Sequence, residues 1–239
     1  MRAPPLKWIH PDDPPEVFPD PARALRDPDG LLAVGGDLSP ARLIYAYKHG
    51  IFPWYHDDQP ILWWSPDPRA VIAPAELHVS RSLARRLRKT DFGVRYDSDF
   101  LGVVDACAAP RRQQPEGGTW IGSAMRAAYA ELFRVGHAHS IEIFMGDAMV
   151  GGVYGVTLGQ VFYGESMFSR MTDGSKIALA CLAHSLDAWG YRLLDCQVHS
   201  EHLTSLGSVL MPRADFIGLL QLLCDAPVRP GAWQNGASP

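Results

Sequence analysis

The residues best suited to chemistry in this 239-residue chain are an acid and an amide two positions apart, Asp195 and Gln197. They fall in an apolar segment, residues 191–198, that is typical of a β-strand, and an extended backbone would turn both side chains to one face. A carboxylate beside an amide can orient it and stabilise positive charge that develops on a nucleophilic amine. Glu165 lies in a neighbouring apolar segment, where an unpaired carboxylate is costly. The acids together predict a pocket for a cationic group; the alternative for Asp195 is a salt bridge or a capping role.

Two other kinds of site are weaker. Cys196, His199 and His202 are zinc-ligand types, but their spacing matches no known zinc pattern, so we expect no metal site. The run Gly164-Glu165-Ser166-Met167-Phe168 resembles a nucleophile elbow until Phe168, where the second glycine is missing. That glycine is needed for the sharp turn that exposes the serine, so we expect Ser166 to be a strand residue.

Charge is distributed unevenly along the chain. The formal net charge of −4 argues against a uniformly basic nucleic-acid binder. Six basic residues and one acid, however, give residues 80–95 a net charge of +5, which leaves −9 for the rest. Ser80 is expected to cap a helix over residues 81–89, whose face is either solvated or in contact with a polyanion. Its basic residues are Arg81, Arg85, Arg86, Arg88 and Lys89.

The elements that must position these residues have an α+β pattern. Three strands joined by tight turns are followed by a helix, the strand that carries Asp195, and a last helix. This order predicts a layer in which the last strand returns beside the hairpins. The strands are expected over residues 139–145, 149–156 and 161–168, and the two helices over 173–189 or 175–189 and 215–224. Earlier helices are expected over residues 40–49, 99–109 and 123–135, with a polar loop at Arg111–Gly118.

The first part of the chain is acidic and rich in proline. Two prolines in Ser65-Pro66-Asp67-Pro68 prevent a helix from continuing and mark the best candidate junction. We therefore expect a small N-terminal domain, residues 1–67, a larger domain, residues 68–239, and a poorly ordered tail from Ala226. The N-terminus lacks the apolar core of a signal peptide, and the uncharged stretch 148–164 is too short for a membrane span. A cytoplasmic protein without a membrane partner is the simplest expectation.

Nine short motifs in a fixed order resemble the bacterial leucyl/phenylalanyl-tRNA–protein transferases, from Phe18 to about Phe216. The first are Gly30-Leu31-Leu32-Ala33-Val34-Gly35-Gly36-Asp37-Leu38-Ser39-Pro40, Gly50-Ile51-Phe52-Pro53-Trp54 and Trp63-Trp64-Ser65-Pro66-Asp67-Pro68-Arg69. Next come Thr119-Trp120-Ile121, Gly136-His137-Ala138-His139-Ser140 and Gly164-Glu165-Ser166-Met167-Phe168-Ser169. The last are Ser175-Lys176, Asp195-Cys196-Gln197 and Ser205-Leu206-Gly207.

The resemblance implies an enzyme that moves leucine, phenylalanine or methionine from its aminoacyl-tRNA to the N-terminal Arg or Lys of a protein. The product carries a destabilising N-terminal residue and enters N-end rule degradation. The resemblance also implies a small N-terminal domain followed by a domain similar to the acetyltransferase fold of the GNAT superfamily. Aminolysis of an ester is downhill, so no cofactor, ATP or metal is expected. We expect a monomer.

The resemblance also assigns roles to individual residues. Asp195 and Gln197 match a pair with a proton-relay role, and Glu165 matches an acidic position that holds an amino group. Four aromatic residues are placed around the 3′-terminal adenosine: Tyr47, Trp54, Trp120 and Tyr129. An apolar pocket for the aminoacyl side chain is expected from Phe162, Met167, Leu182 and Leu194. The basic helix would contact the phosphates of the acceptor stem.

Two other functions stay open from the sequence. An N-acetyltransferase would need a basic, glycine-rich turn before a helix to hold the pyrophosphate of acetyl-CoA, and residues 168–176 offer only Gly174 and Lys176. A tRNA-binding module without catalysis would not need two acids in an apolar block. The transferase is therefore the favoured interpretation.

Overall fold

The structure is a computed structural model that describes residues 6–89, 91–109 and 120–234. The loop expected at Arg111–Gly118, and Thr119, lie outside this range. The first part of the chain forms a four-stranded sheet in the order β1-β2-β4-β3, with β1 parallel to β2 and the other pairs antiparallel. Its strands are β1 (Lys7–Ile9), β2 (Leu31–Gly35), β3 (Phe52–Pro53) and β4 (Leu62–Trp64). Between β2 and β3 lies helix α1 (Pro40–Lys48), which the hydroxyl of Ser39 caps as predicted.

The rest of the chain forms a seven-stranded sheet in the order β11-β5-β10-β9-β8-β7-β6. The predicted hairpin strands are confirmed, and the strand that carries Asp195 returns beside them as expected. It runs parallel to β9, whereas all other neighbours in the sheet are antiparallel. The strands are β5 (Arg69–Ile72), β6 (Gly93–Tyr96), β7 (Ala138–Met145), β8 (Ala148–Leu158), β9 (Val161–Ser169), β10 (Leu193–Gln197) and β11 (Val209–Met211).

The described residues contain six more α-helices and two short 3-10 helices. The α-helices are α2 (Arg81–Leu87), α3 (Phe100–Ala108), α4 (Ser123–Arg134), α5 (Gly174–Ala188), α6 (Glu201–Ser205) and α7 (Arg213–Leu223). The 3-10 helices are Pro21–Arg23 and Pro74–Glu76. In the described part of the chain, every helix is too short or too polar to cross a lipid bilayer. The α+β class predicted from the order of elements is confirmed.

The large sheet separates two apolar clusters, because alternate strand residues point to opposite faces. Tyr154 and Tyr163 belong to the first cluster, whereas Val153 and Phe162 belong to the second, which α5 covers. The first cluster also contains α1 and the small sheet, so one core runs across the junction predicted at residues 65–68. The small sheet ends before this junction and the large sheet begins after it. The division into domains 1–67 and 68–239 stays a prediction.

The C-terminal tail differs from the sequence-based expectation. Val228, Ala232 and Trp233 pack against the second apolar cluster, so the prediction of a poorly ordered tail from Ala226 to Pro239 was wrong for this part of it, while residues 235–239 lie outside the described range. Trp233 is only 7% exposed: its ring stacks on His139 at 4.5 Å, and its Nε1–H donates to the Tyr191 hydroxyl at 2.8 Å. The prediction overlooked how much area one aromatic side chain can bury.

Replacing Trp233 should therefore destabilise the protein. We expect Trp233→Ala to lower the free energy of unfolding by about 3 kcal/mol, because a large buried side chain is lost and a cavity remains. Urea unfolding followed by circular dichroism measures the change. Trp8→Ala is the matched control, since Trp8 is 62% exposed. Equal effects of the two substitutions would contradict a buried tail.

Candidate active site

A cavity of about 450 Å³ opens where the parallel strands β9 and β10 separate. The last paired residues are Tyr163 of β9 and Asp195 of β10. Beyond them the strands diverge, and residues 164–167 and 196–198 line the two sides of the gap. The remaining wall consists of Trp54, Trp120, Val153, Leu179, Leu194, Ser200 and Leu203. Residues of the large sheet, of α5 and α6, and of the segment after β3 thus meet at one site.

Both sides of this gap contain a β-bulge. On β9, Gly164 and Ser166 pair with consecutive residues of β8, so Glu165 is an extra residue without a partner opposite it. Gly155 lies opposite this bulge, and a Cβ there would collide with the Tyr163 carbonyl oxygen. On β10, Cys196 is the extra residue between two that pair with consecutive residues of β5. Bulges redirect side chains, and here they redirect those at the cavity.

The prediction that Asp195 and Gln197 share one face of an extended strand was wrong, because the strand bulges between them. Gln197 has a φ of +58°, in the left-handed region, so the alternation of side chains breaks at this point. As a result, Asp195 is completely buried, whereas Gln197 is half-buried and lines the cavity. The two remain linked, because the backbone N–H of Gln197 donates to Asp195 Oδ1 at 3.0 Å.

Asp195 is held by a buried ion pair with Arg69. Arg69 Nε donates to Oδ1 at 2.8 Å and Nη2 donates to Oδ2 at 2.7 Å, a bidentate geometry. The two side chains are 1% and 0% exposed. The salt-bridged aspartate that the sequence left open is therefore what the structure contains. The third donor of the guanidinium, Nη1, bonds the Gly50 carbonyl at 3.1 Å.

Glu165 has a different environment. Its carboxylate accepts hydrogen bonds from the hydroxyls of Tyr47 at 2.8 Å and Tyr129 at 2.5 Å. Burial raises the pKa of Glu165 to about 7, because the loss of solvation outweighs the two hydroxyl donors, which favour the charged form. A carboxyl group on the wall of a cavity that titrates near neutral pH can bind a cation or exchange a proton.

Two family models match the chain on either side of the junction between the sheets. Residues 71–221 match leucyl/phenylalanyl-tRNA protein transferase, and residues 36–67 match the N-terminal domain of the same protein. The chain belongs to the leucyl/phenylalanyl-tRNA protein transferase family. The resemblance found in the nine sequence motifs is thereby confirmed.

Curated members of this transferase family match over nearly their whole length. The leucyl/phenylalanyl-tRNA–protein transferase of Thiobacillus denitrificans is 55% identical over 216 residues, 90% of this chain and 94% of the relative. That of Xanthomonas axonopodis pv. citri is 54% identical over 231 residues, 96% of this chain and 92% of the relative. A solved GCN5-related N-acetyltransferase from Kribbella flavida overlaps with a TM-score of 0.38 and 10% identity, covering 72% of this chain and 61% of the other. The family assignment stands on the sequence matches.

The structure brings some of the residues that the transferase resemblance singled out to the cavity. Trp54, which is 43% exposed, and Trp120 lie on its wall, so their rings are available for stacking. Tyr47 and Tyr129 have no exposed surface, and their hydroxyls bond Glu165 instead. Stacking on a base stays a prediction for the two tryptophans, whereas the tyrosines have no open ring face in this structure.

The apolar residues divide in the same way. Met167 and Leu194 line the cavity. Phe162 and Leu182 have no exposed surface and lie in the second apolar cluster, behind the wall. Sequence reasoning missed Val153, Leu179 and Leu203, which line the cavity in addition. Leu179 lies one turn before Leu182 on α5, so the resemblance indicated the correct helix but not the residue that reaches the cavity.

The basic helix α2 packs against α5 and supplies no residue to the cavity. Arg81, Arg85, Arg88 and Lys89 are exposed. Arg86 differs, because Nη1 forms an ion pair with Asp91 at 2.6 Å and its guanidinium lies over the ring of Phe92. The four exposed side chains keep their charge open to an approaching polyanion.

The hydrogen bonds to Glu165 have a measurable consequence. Tyr129→Phe removes a donor that favours the charged carboxylate, so we expect the pKa of Glu165 to rise above about 7. Titration of the glutamate carboxyl carbons by ¹³C NMR measures it. Tyr96→Phe is the control, because its hydroxyl bonds Ser185. A pKa of Glu165 that stays the same or falls in Tyr129→Phe would contradict this arrangement.

Proposed function

We propose that the protein transfers leucine or phenylalanine from aminoacyl-tRNA to the N-terminal Arg or Lys of acceptor proteins. The observation that carries this function is the placement of Glu165 and Gln197 on the two sides of one cavity, next to an apolar pocket and two accessible tryptophans. The apolar residues can bind the side chain of an aminoacyl ester, and Glu165 can bind a cationic amine. The product has a new N-terminal residue that directs the acceptor into N-end rule degradation. Since aminoacyl-tRNA is the donor, we place the reaction in the cytoplasm.

The donor end of the tRNA fits the wall formed by Trp54 and Trp120. Stacking of a base on an aromatic ring contributes about 1–3 kcal/mol and needs an exposed ring face. The leucine or phenylalanine side chain then enters the apolar part, formed by Val153, Met167, Leu179, Leu194 and Leu203. Met167 suits a pocket that takes both branched and aromatic side chains, because its thioether is flexible. We propose a monomer as the working unit.

The acceptor amine must lose a proton before it attacks. With a pKa near 8, an α-amino group is mostly protonated at pH 7. Glu165 has a pKa of about 7, so its carboxylate can attract the ammonium group and take one proton with little change in free energy. Tyr47 and Tyr129 hold this carboxylate in place. We propose Glu165 as the group that binds and deprotonates the amine.

Atoms and protons balance in this transfer. The neutral amine nitrogen attacks the ester carbonyl carbon, and a C–N bond forms. The bond between that carbon and the 3′ oxygen of the ribose breaks, and the oxygen takes up the second proton from nitrogen. The proton on Glu165 leaves to solvent. The products are an amide and a free 3′-hydroxyl.

Gln197 and Asp195 have separate roles in this proposal. The side chain of Gln197 borders the cavity, so its amide oxygen can accept a hydrogen bond from the amine and orient its lone pair. Asp195 is buried and both carboxylate oxygens bond Arg69, which argues for a positioning role and against its taking the proton itself. Asp195 acts through the backbone of Gln197.

The tRNA body is the proposed partner of α2. Arg81, Arg85, Arg88 and Lys89 are exposed, and guanidinium groups bind phosphates in bidentate fashion. Such contacts recognise an RNA helix by its shape and charge, independent of sequence. The basic helix then provides affinity, while the cavity provides selection for the aminoacyl group.

Transfer of labelled leucine from leucyl-tRNA to a peptide that begins with Arg tests the function directly. We expect transfer to this peptide, and none to the same peptide with an acetylated N-terminus, because the amine is blocked. Acetyl-CoA should not replace the tRNA as donor. An absence of leucine transfer, or acetylation of the peptide, would overturn the proposed function.

The pH dependence tests the role of Glu165. The wild-type kcat/KM should rise as the pH increases through about 7, because the carboxylate must be ionised to take the proton. Glu165→Gln should lower kcat/KM by about 100-fold or more and remove that limb of the profile. Glu142→Gln is the matched control: Glu142 is also a buried glutamate with a raised pKa, but it bonds Ser98 and Ser140. A limb near pH 7 that persists in Glu165→Gln would assign the proton to another group.

Salt dependence tests the basic helix. Replacing Arg81, Arg85 and Arg88 with Gln should weaken tRNA binding and make the plot of log affinity against log salt shallower, by about one unit for each lost phosphate contact. Filter binding at several salt concentrations measures the slope. The control replaces three exposed arginines outside α2, Arg23, Arg26 and Arg192. An equal loss in both variants would show that α2 has no specific role.

A further inference from the structure

Arg69 is a buried residue that bonds to segments leading to both sides of the cavity. It begins β5, next to both β10 and β11 in the large sheet. Its guanidinium lies 4.7 Å from the ring of Phe52 and 4.7 Å from that of Phe216, so aromatic groups cover it. Its hydrogen bonds go to Asp195 and to the Gly50 carbonyl. Asp195 bonds the backbone of Gln197, and Gly50 begins the segment that ends at Trp54.

The connection to Gln197 passes through a single carboxylate. Asp195 Oδ1 accepts from Arg69 Nε at 2.8 Å and from the backbone N–H of Gln197 at 3.0 Å. A left-handed backbone is unfavourable for a residue with a side chain and persists only where its surroundings hold it. The carboxylate supplies that restraint, and Arg69 fixes the carboxylate. The direction of the Gln197 side chain therefore depends on the position of the guanidinium.

The connection to Trp54 passes through the segment that precedes it. Gly50 has a φ of +73°, and its carbonyl accepts from Arg69 Nη1. Two residues later, Phe52 of β3 packs on the same guanidinium. Trp54 comes directly after β3. Its backbone N–H donates to the Leu62 carbonyl of β4 at 2.9 Å, which also fixes its position. The start of this short segment is thus fixed to the large sheet by Arg69.

We propose that Arg69 is a positioning residue that sets the distance between the donor side of the cavity, at Trp54, and the acceptor side, at Gln197. It contacts neither substrate. This inference rests on the proposed function, since it concerns how the two substrates of that reaction meet. A lysine cannot replace it, because an ammonium group lacks the planar fork that reaches Asp195 twice and Gly50 once. Small misplacements of reacting groups are costly to the rate.

A second buried arginine offers a comparison within the same chain. Arg42 has no exposed surface and bonds Asp37 Oδ2 at 2.9 Å, the Pro14 carbonyl at 3.2 Å and the Asp13 carbonyl at 2.6 Å. These partners all belong to the N-terminal part of the chain, and none lines the cavity. Arg42 therefore matches Arg69 in burial and in the number of its hydrogen bonds but not in its connection to the site.

The experiment compares Arg69→Lys with Arg42→Lys below the unfolding temperature of both variants. Arg69→Lys should lower kcat about tenfold or more and raise KM for leucyl-tRNA several-fold, because both sides of the cavity lose their common restraint. Hydrogen exchange should accelerate at the amide of Gln197 and in residues 50–54. Arg42→Lys should lose stability while kcat, KM and these exchange rates stay as in the wild type.

A further variant separates positioning from the cost of an unpaired buried charge. Arg69→Met combined with Asp195→Leu removes both charges, and such replacements are often tolerated in a core. We expect this double variant to fold and to show the same loss of kcat as Arg69→Lys. Wild-type kcat and KM in either Arg69 variant would overturn the proposal. The exchange measurement needs no activity, so it still decides the role of Arg69 if the wild type transfers no leucine, an outcome that would refute only the proposed function.

Discussion

The buried ion pair between Arg69 and Asp195 is the interaction on which the cavity depends. Removing two charges from water is expensive, and a buried pair is tolerated only when its geometry is good and its remaining donors are satisfied. Both conditions hold here: the contact is bidentate, a third donor bonds Gly50, and two aromatic rings cover the guanidinium. Loss of one partner alone would leave an uncompensated charge in the core, at a cost of about 3–5 kcal/mol. The stability of the core and the geometry of the site therefore both depend on the contact between Arg69 and Asp195.

The two acids of the site illustrate how environment separates chemically similar groups. Asp195 faces a cation, whereas Glu165 has hydroxyl groups as its hydrogen-bond partners and a pKa raised to about 7. The ion pair fixes the position of the first carboxylate, whereas the second can change its protonation state near neutral pH. In the proposed reaction these properties divide the work: one carboxylate orients, and the other exchanges a proton.

Sequence patterns predicted the hairpin strands and most helices, but not the short strands β1, β5, β6 and β11 or the direction of single side chains. Alternating apolar residues and tight turns predicted the three hairpin strands, and the Ser39-Pro40 pair predicted the start of α1 correctly. The same reasoning failed at Gln197, because one extra residue in a ladder reverses the faces, and a bulge has little signature in a single sequence. The family resemblance placed Tyr47 and Tyr129 around the adenosine, but only burial distinguishes a ring that can stack from a hydroxyl that donates.

Gly155 illustrates a consequence of building a site on bulges. The residue has no side chain, and it contributes none to the cavity; its role is to leave space where the backbone of β9 comes close. Glu165 can leave the regular ladder because the opposite strand gives way at this glycine. The chemistry of the site thus depends on an absence of atoms as much as on functional groups. Methods that survey enzymes by truncating side chains would pass over this position, although it determines where the carboxylate points.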